Sequence, residues 1–352
     1  MSGQQPGKKI RVAVIGANGY GGIELVRLLA QHPDVEIKVL VSRSEAGQAV
    51  TTIFPHLHGK SCEHLFYVAP QDADWQSIDV CFFATPHTVA MGQAAAMLDK
   101  GIKVIDLSAD FRIKDQRLWE QWYGTRHSEA ELINEAVYGL PELNRQAIKS
   151  ARLIACPGCY PTSIQLGLMP LLKADLLTDD TIIADSKSGV SGAGRSANSA
   201  MLFAERSDNF SAYAGSGHRH YPEIKQQLEL LKGREVNLIF MPHLLPAVRG
   251  IHSTIYARLK SPDTDVQALF EQAYQDEPFV TVLPQGQHPQ TRSVSQTNQL
   301  QIAIARPPDS DYVTLMVVED NLIKGAAGQA VQCMNIMYNL TETQGLTQLA
   351  GV

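Results

Sequence analysis

Short apolar runs rich in β-branched residues alternate with longer apolar stretches of helical spacing through the first hundred residues. The short runs predict strands at 11–15, 35–41, 80–84 and 102–107. Apolar positions three and four residues apart predict helices at 21–31 and 88–99. Because strands that alternate with helices form βαβ units with a parallel sheet, residues 9–155 are predicted to be one α/β domain.

The pattern changes after about residue 150. Strands are now predicted at 181–184, 236–240, 251–259, 301–306 and 312–319, with helices between them at 161–173, 222–231 and 265–275. Several of these strands alternate apolar and polar positions, as in antiparallel sheets with one face in water. We therefore expect a second, α+β domain with a mainly antiparallel sheet over 156–325. An amphipathic helix in the last segment, 326–352, is expected to pack back on the first domain.

Composition and charge exclude several classes of protein. The chain has 352 residues, of which 44% are hydrophobic, so it can bury two cores. Its net charge is -6 with no block of like charges, so no nucleic acid or membrane partner is expected. The early apolar run 10–15 is too short for a signal sequence or a membrane span, which predicts a cytoplasmic protein. Five scattered cysteines do not indicate a secreted disulfide framework.

A glycine-rich turn follows the first predicted strand and leads into the first helix. It places Gly16, Gly19 and Gly22 at intervals of three, with Tyr20 among them. Glycine suits such a turn because the backbone must approach a pyrophosphate at a helix N-terminus, where N–H groups and the helix dipole attract an anion. We interpret it as a dinucleotide-binding loop, rather than a simple βα turn, and the first domain as Rossmann-type.

The end of the second predicted strand bears on the choice of cofactor. Ser42 and Arg43 stand where an NAD enzyme usually has a carboxylate for the ribose hydroxyls. An arginine there suits a 2′-phosphate, so we predict NADP(H), although the nearby Glu45 leaves NAD open.

Cys159 is the candidate nucleophile. It follows the apolar stretch 152–155 and stands just before a predicted helix with Pro161 in its first turn. A helix N-terminus stabilises a thiolate, which is the reactive form of cysteine. Two other interpretations stay open, namely a redox couple with Cys156 and a buried structural cysteine.

Polar groups of the second domain could assist such a cysteine. His218, in a polar loop before a predicted helix, is the preferred general acid or base, with His220 and His252 as rivals. The stretch 188–195, Ser-Gly-Val-Ser-Gly-Ala-Gly-Arg, could form an anion-binding nest of backbone N–H groups or a flexible loop. Arg112, after a strand of the first domain, could bind phosphate or carboxylate. No histidine, cysteine or carboxylate spacing typical of a metal site is present, so no metal is predicted.

Nine ordered motifs between Lys9 and about Leu340 resemble the semialdehyde dehydrogenase family, and within it the N-acetyl-gamma-glutamyl-phosphate reductases. The motifs are GANGYGG at 16–22, ATPH at 84–87, DLSADFR at 106–112, YGLPE at 138–142, PGCYPT at 157–162, SGVSGAGR at 188–195, HRHYPEI at 218–224, PHLLPAVRGI at 242–251 and DNLIKGAAGQAVQ at 320–332. PGCYPT and SGVSGAGR are the most specific of them.

The resemblance implies an enzyme of arginine biosynthesis that reduces N-acetyl-glutamyl 5-phosphate with NADPH to the semialdehyde and phosphate. Cys159 would attack the acyl phosphate, and hydride would reduce the thioester. His218 would keep the thiolate paired and then protonate the departing oxygen. The family also implies a homo-dimer or homo-tetramer.

The resemblance further implies which side chains contact the ligands. Arg112 would bind the substrate phosphate, and Arg249 or Glu223 would orient the rest of the substrate. The residues implied to lie near the cofactor in the later motifs are Pro86, Ser188, Gly189, Gly192 and Asn321.

Three points stay open. Cys156 stands where this family commonly has asparagine, so a reversible Cys156–Cys159 disulfide is one hypothesis and a bystander cysteine the preferred one. Aspartate-semialdehyde and acetyl-aminoadipate-semialdehyde dehydrogenases share this chemistry, and chain-length selectivity resides in pocket shape. A non-catalytic NADP-binding sensor is the alternative of another class.

Overall fold

The computed structural model describes residues 9–351, which form two compact units. The first unit comprises the described residues through Glu120, then Thr125–Cys156 and Ala327–Thr347. The second comprises Gln121–Gly124, Pro157–Ala326 and the described residues from Gln348 onward. The final residue of the predicted segment 326–352 lies outside the described range.

The first unit contains a sheet whose strands all pair in parallel, in the order β3-β2-β1-β4-β5-β7-β6. Its strands are β1 Ile10–Ile15, β2 Val35–Val41, β3 Tyr67–Val68, β4 Val80–Phe83, β5 Lys103–Asp106, β6 Val137–Tyr138 and β7 Leu153–Ala155. The helices between them are α1 Tyr20–Leu29, α2 Val50–Ile53, α3 Ala94–Asp99, α4 Gln116–Tyr123, α5 Ala130–Glu135 and α6 Pro141–Ser150, of which α4 ends in residues of the second unit.

The strand order reverses between β1 and β4, and open α/β sheets bind ligands at such a point, outside the carboxyl ends of the strands. β4 is buried along its whole length and β1 nearly so, because helices cover a parallel sheet on both faces. The loops after these two strands are therefore the place in this unit for a bound ligand.

The helix predicted at 88–99 is shorter in the structure, where α3 begins at Ala94. Thr88 has a positive φ of 76°, which ends any helical path at that residue. The carboxylate of Asp110 instead accepts hydrogen bonds from the backbone N–H groups of Thr88 and Met91. A buried carboxylate from a distant loop thus replaces the first turns of the predicted helix.

The second unit is built on a mixed sheet in the order β12-β13-β14-β11-β8-β10-β9, in which most neighbours are antiparallel. Its strands are β8 Ile182–Ser188, β9 Ser211–Ala212, β10 Leu238–Leu244, β11 Ile251–Arg258, β12 Val280–Val282, β13 Leu300–Ala305 and β14 Tyr312–Glu319. Its helices are α7 Cys159–Lys173, α8 Phe203–Arg206, α9 His220–Lys232 and α10 Val266–Tyr274, followed by a π-helix at Ile323–Ala327.

Helix α7 is buried on nearly all sides and packs on β11 and β14. Gly167 permits this approach, because a Cβ there would come within 2.9 Å of both Ile255 and Val317. The same helix packs along α9, so the first turns of these two helices are neighbours in the second unit. This packing positions the candidate catalytic residues.

A final helix, α11 at Gly328–Met337, lies in the first unit, where it packs against α1 and α6. All ten of its residues are buried. The ring Nε2 of His32 and the side-chain oxygen of Asn335 lie 3.0 Å apart, and Arg145 forms a salt bridge with Glu342 just beyond the helix.

Residues 121–124 group with the second unit although their neighbours on both sides belong to the first. The ring of Trp122 stacks on Tyr221, with centroids 6.0 Å apart, and the guanidinium of Arg219 lies over Tyr123. These aromatic contacts explain why the segment departs from the predicted domain boundaries. Nothing in the local sequence indicates them.

Two classes of feature are absent from residues 9–351. No helix in that range is long and apolar enough to cross a membrane. No cluster of three or more histidine, cysteine or carboxylate side chains there could bind a metal ion.

Candidate active site

The turn between β1 and α1 requires glycine at two positions. Gly16 has a φ of 80°, and a Cβ there would lie 2.4 Å from the carbonyl oxygen of Ala84, in the loop after β4. A Cβ on Gly22 would lie 2.2 Å from the carbonyl oxygen of Gly16. These glycines allow the turn to pass close to the neighbouring loop and to the start of its own helix.

Gly19 has a different role in the same turn. It precedes α1, and a Cβ there would meet no atom closer than 3.6 Å. Gly21, in the first turn, has no neighbour within 4 Å of an added Cβ. The turn thus leaves room beside the N–H groups at the start of α1, where an anion is favoured, and the roles of Gly19 and Tyr20 toward a pyrophosphate stay predictions.

The end of β2 presents hydroxyl groups and a cation. Arg43 is exposed, and the hydroxyl of Ser44 accepts a hydrogen bond from the side chain of Asn18. Ser42 is buried and its hydroxyl accepts the N–H of Glu45. The carboxylate of Glu45 accepts hydrogen bonds from Ser44 and from Gln48.

Arg112 is anchored at the carboxyl end of the parallel sheet. Its Nε donates to the carbonyl oxygen of Cys156 at 2.7 Å, and one terminal nitrogen donates to that of Leu107 at 2.6 Å. The buried Asp106, hydrogen-bonded by Ser108, lies nearby, and burial together with Asp110 raises its pKa. Arg112 therefore fixes the backbone at Leu107 and Cys156 in the first unit, and its role toward phosphate stays a prediction.

Cys159 is half-buried at the first position of α7. The preceding residue, Gly158, is buried, and its N–H donates to the carboxylate of Glu223 at 2.9 Å. Glu223 lies in the first turn of α9 and is almost fully buried. The residue that was predicted to orient substrate therefore fixes the backbone immediately before Cys159.

The backbone of the π-helix closes the other side of Cys159. A Cβ on Gly325 would lie 2.8 Å from the Cβ of Cys159 and 2.9 Å from a carboxylate oxygen of Glu319. Glu319 and Lys324 are fully buried. Sequence reasoning did not single out these two residues, and the signal that could have found them is a charged side chain within an otherwise apolar stretch.

His218 lies within an aromatic cluster of the second unit. Its ring centroid is 4.8 to 5.7 Å from those of His220, Phe240, Tyr213 and Tyr160. Burial, assisted by the positive charge of Arg219, lowers the pKa of His218 to about 4. These surroundings favour the neutral ring, and the catalytic role of His218 stays a prediction.

The two rival histidines occupy different places. The ring of His220 contacts Gly158, because a Cβ on that glycine would lie 2.5 Å from Nε2 of His220. His252 is on β11, beside the hydroxyl of Thr254, and burial lowers its pKa. The structure therefore brings His218 and His220 into one cluster with Tyr160, the neighbour of Cys159.

The loop after β8 does not present the anion-binding nest that its sequence suggested. Three successive N–H groups donate to backbone carbonyl oxygens of the loop after β10, at 2.9 to 3.0 Å. The donors are Gly189, Val190 and Ser191, and the acceptors are Gly250, Ala247 and Val248. That interpretation is wrong for these three groups, because their hydrogen bonds are already made.

Asn321 holds the same two loops together. Its side chain accepts the N–H of Gly250 at 2.8 Å and donates to the hydroxyl of Ser191 at 3.0 Å. Gly192 lies next to Ser188, whose hydroxyl donates to the carbonyl oxygen of Gly189. Roles of these residues and of the exposed Pro86 toward a cofactor stay predictions.

Arg249 is paired within the second unit. Its guanidinium lies 3.1 Å from the carboxylate of Asp320, which is fully buried. The same carboxylate oxygen accepts the N–H of Gln296. Arg249 is therefore held in place by Asp320, and its contact with substrate stays a prediction.

Family models match most of the chain. The model described as "Semialdehyde dehydrogenase, NAD binding domain" matches residues 11–151, and "Semialdehyde dehydrogenase, dimerisation domain" matches residues 159–321. The chain therefore belongs to the semialdehyde dehydrogenase family.

Curated relatives indicate which member of the semialdehyde dehydrogenase family the chain resembles most specifically. A protein of Aromatoleum aromaticum is 56% identical over 337 residues, which cover 96% of this chain and 98% of the relative. A protein of Thiobacillus denitrificans is 55% identical over 340 residues, which cover 97% and 98%. Both are named N-acetyl-gamma-glutamyl-phosphate reductase, so the resemblance found in the sequence is confirmed.

Solved structures share the fold at low sequence identity. Aspartate semialdehyde dehydrogenase II of Vibrio cholerae is 16% identical with a TM-score of 0.73, covering 94% of this chain and 99% of that one. The Candida albicans enzyme with NADP is 17% identical, with a TM-score of 0.69 and coverage of 94% and 99%. The predicted fold class is therefore confirmed.

Substituting Gly22→Ala is expected to destabilise the first unit by about 1 to 3 kcal/mol and to weaken dinucleotide binding, because the added methyl meets backbone atoms. Gly21→Ala is the matched control, since its methyl meets nothing and alanine favours the helix. Thermal unfolding without ligand measures the effect. Equal melting temperatures for the two variants would contradict this account of the turn.

Glu223→Ala is expected to destabilise the second unit by about 1.5 to 3 kcal/mol, because it removes a charged acceptor from the buried Gly158 N–H. Glu223→Gln keeps a carbonyl acceptor and should lose less. Urea unfolding compares the variants. If glutamine is as damaging as alanine, the hydrogen bond to Gly158 is not what makes Glu223 important.

Proposed function

We propose that this protein reduces N-acetyl-L-glutamyl 5-phosphate to N-acetyl-L-glutamate 5-semialdehyde with NADPH, in arginine biosynthesis. The observation that carries the proposal is a half-buried cysteine at the start of a buried helix, in a chain matched over its length by reductases of that name. A cysteine so placed is suited to form an acyl-enzyme.

The proposed chemistry has two stages. The thiolate of Cys159 attacks the acyl carbon, the carbon–oxygen bond to phosphate breaks, and phosphate leaves as hydrogen phosphate with a proton taken from solvent. When bound, NADPH supplies the hydride that reduces the resulting thioester. Collapse of the tetrahedral adduct breaks the carbon–sulfur bond, releases the aldehyde and regenerates the thiolate.

The residues of the second unit would serve this chemistry through position and charge. The N-terminus of α7 favours the thiolate, and backbone N–H groups near Cys159 could bind the tetrahedral oxyanion. The imidazoles of His218 and His220 are the side chains that we propose to serve the reacting oxygens. We assign Arg112 to the substrate phosphate and Arg249 to the remainder of the substrate.

We propose NADP(H) as the preferred dinucleotide, with the turn after β1 binding its pyrophosphate. Arg43 together with the serines at 42 and 44 would bind the 2′-phosphate, since the cation is exposed at the end of β2. The preference for NADP(H) over NAD(H) is supported by Glu45, because its carboxylate accepts hydrogen bonds from Ser44 and Gln48 instead of the ribose hydroxyls of NAD.

We infer a homo-dimer or homo-tetramer in the cytoplasm. The second unit matches a model described as a dimerisation domain, which supports self-association. The absence of a membrane-spanning helix among residues 9–351 is consistent with this compartment.

The proposal is tested in the reverse direction, by following NADP reduction with N-acetyl-glutamate 5-semialdehyde plus phosphate. Turnover should require phosphate, should greatly exceed turnover of aspartate semialdehyde, and should disappear in Cys159→Ser while NADPH binding persists. Preference for aspartate semialdehyde would assign the sister activity. Dinucleotide binding without turnover of either aldehyde would favour a sensor.

Arg43→Ala should weaken NADPH binding by about 10-fold to 100-fold, the usual value of a charge-assisted contact, while leaving NADH binding nearly unchanged. Arg117→Ala, an exposed arginine of α4, is the control for loss of surface charge. Fluorescence titration with both dinucleotides measures the effect. Equal losses for NADPH and NADH would remove Arg43 from the 2′-phosphate site.

A further inference from the structure

We propose that His218 acts as a neutral imidazole that donates a hydrogen bond from Nε2 to the reacting carbonyl oxygen, and that Tyr213 is the positioning residue that holds it in this tautomer. The inference rests on the proposed acyl-transfer function of the same site. It differs from the ion pair with the thiolate that the resemblance implied, because the ring carries no charge.

A chain of four hydrogen bonds fixes where the proton of His218 resides. The backbone N–H of His220 donates to Nδ1 of His218 at 3.0 Å, so Nδ1 carries no proton. The hydroxyl of Tyr160 donates to the carbonyl oxygen of His243, and the hydroxyl of Tyr213 donates to that of Tyr160, both at 3.2 Å.

Each hydroxyl has one proton to donate, so that of Tyr213 is already committed. The remaining contact, between Tyr213 Oη and His218 Nε2 at 3.4 Å, therefore requires Nε2 to be the donor. Both ends of the ring independently assign the same tautomer, with the proton on Nε2.

A charged His218 would not fit this arrangement. An imidazolium carries a proton on each nitrogen, so its Nδ1–H would face the N–H of His220. The groups around the ring are the hydroxyls of Tyr160 and Tyr213, the neighbouring His220 ring, the apolar Phe240 and the cation of Arg219. Within residues 9–351, no carboxylate hydrogen-bonds to the ring, and burial further lowers its pKa.

The two tyrosines remain protonated donors under the same conditions. Burial raises the pKa of Tyr213 to about 12 and raises that of Tyr160 as well. The directions of these hydrogen bonds therefore stay the same near neutral pH, because His218, Tyr160 and Tyr213 do not change protonation state there. The last and longest contact in this series of hydrogen bonds is the one from Nε2–H of His218 to the hydroxyl of Tyr213.

The long contact with Tyr213 leaves Nε2–H of His218 able to bind substrate. A bond of 3.4 Å is weak, so Nε2–H can exchange Tyr213 for a substrate oxygen at little cost. A neutral imidazole stabilises an oxyanion through that hydrogen bond without giving up its proton. The proton that leaves with phosphate then comes from water, and the thiolate relies on the N-terminus of α7.

The first test is the pH dependence of Cys159 alkylation by iodoacetamide in the full-length protein, with Cys159→Ser as the blank. A neutral His218 predicts that His218→Gln shifts the midpoint of thiolate formation by less than about half a pH unit. An ion pair predicts a rise of a full unit or more in the variant, which would overturn the proposal. This test needs no substrate, so it stands even if the proposed function fails.

The second test is turnover in the matched pair His218→Gln and His218→Leu. Glutamine can accept the N–H of His220 and still donate, so it should retain at least 10-fold more kcat than leucine, with KM for NADP(H) unchanged in both. Tyr213→Phe should lower kcat and leave the alkylation midpoint in place. Equal kcat for the glutamine and leucine variants would show that the donated hydrogen bond is not what His218 contributes.

Discussion

The hydrogen bond from the Gly158 N–H to the Glu223 carboxylate is the constraint on which the second unit's chemistry depends. It joins the starts of α7 and α9 and is buried, where an unpaired partner would be costly. One helix begins with Cys159 and the other with His220, so this contact, together with the packing of α7 along α9, sets the relative position of both residues. The imidazole of His220 packs against the same glycine, so an added Cβ there would force that ring to move.

The parallel sheet and the glycine turn could be predicted from the sequence because their causes are local. Apolar periodicity defined β2 at Val35–Val41 and β14 at Tyr312–Glu319 within a residue. The two-residue strands β3, β6 and β9 carry no periodicity to detect. The helix expected at 88–99 was too long because Asp110, distant in sequence, binds the backbone where its first turns would lie.

The candidate site was predictable as a list of residues and not as a set of contacts. Cys159 could be found because a helix start and a reactive thiol share a local signature. Glu223 could be named but not given its role, since its partner is 65 residues away in the chain. The tautomer that we propose for His218 depends on the N–H of His220 and on Tyr160, Tyr213 and His243, which no spacing rule connects. Hydrogen bonds between residues far apart in the chain position these side chains, and the order of residues in the sequence does not predict such contacts.

The position of α11 bears on how the protein is made. This helix is synthesised after every strand of both sheets, yet all its residues are buried in the first unit, against α1 and α6. Until it emerges, the apolar faces of those two helices have no cover, whereas the main segment of the second unit, Pro157–Ala326, is already complete. The second unit can therefore finish folding first, reversing the usual order of domains on the ribosome. The stability of the dinucleotide-binding unit therefore depends on a helix that the ribosome makes after all the strands of both sheets.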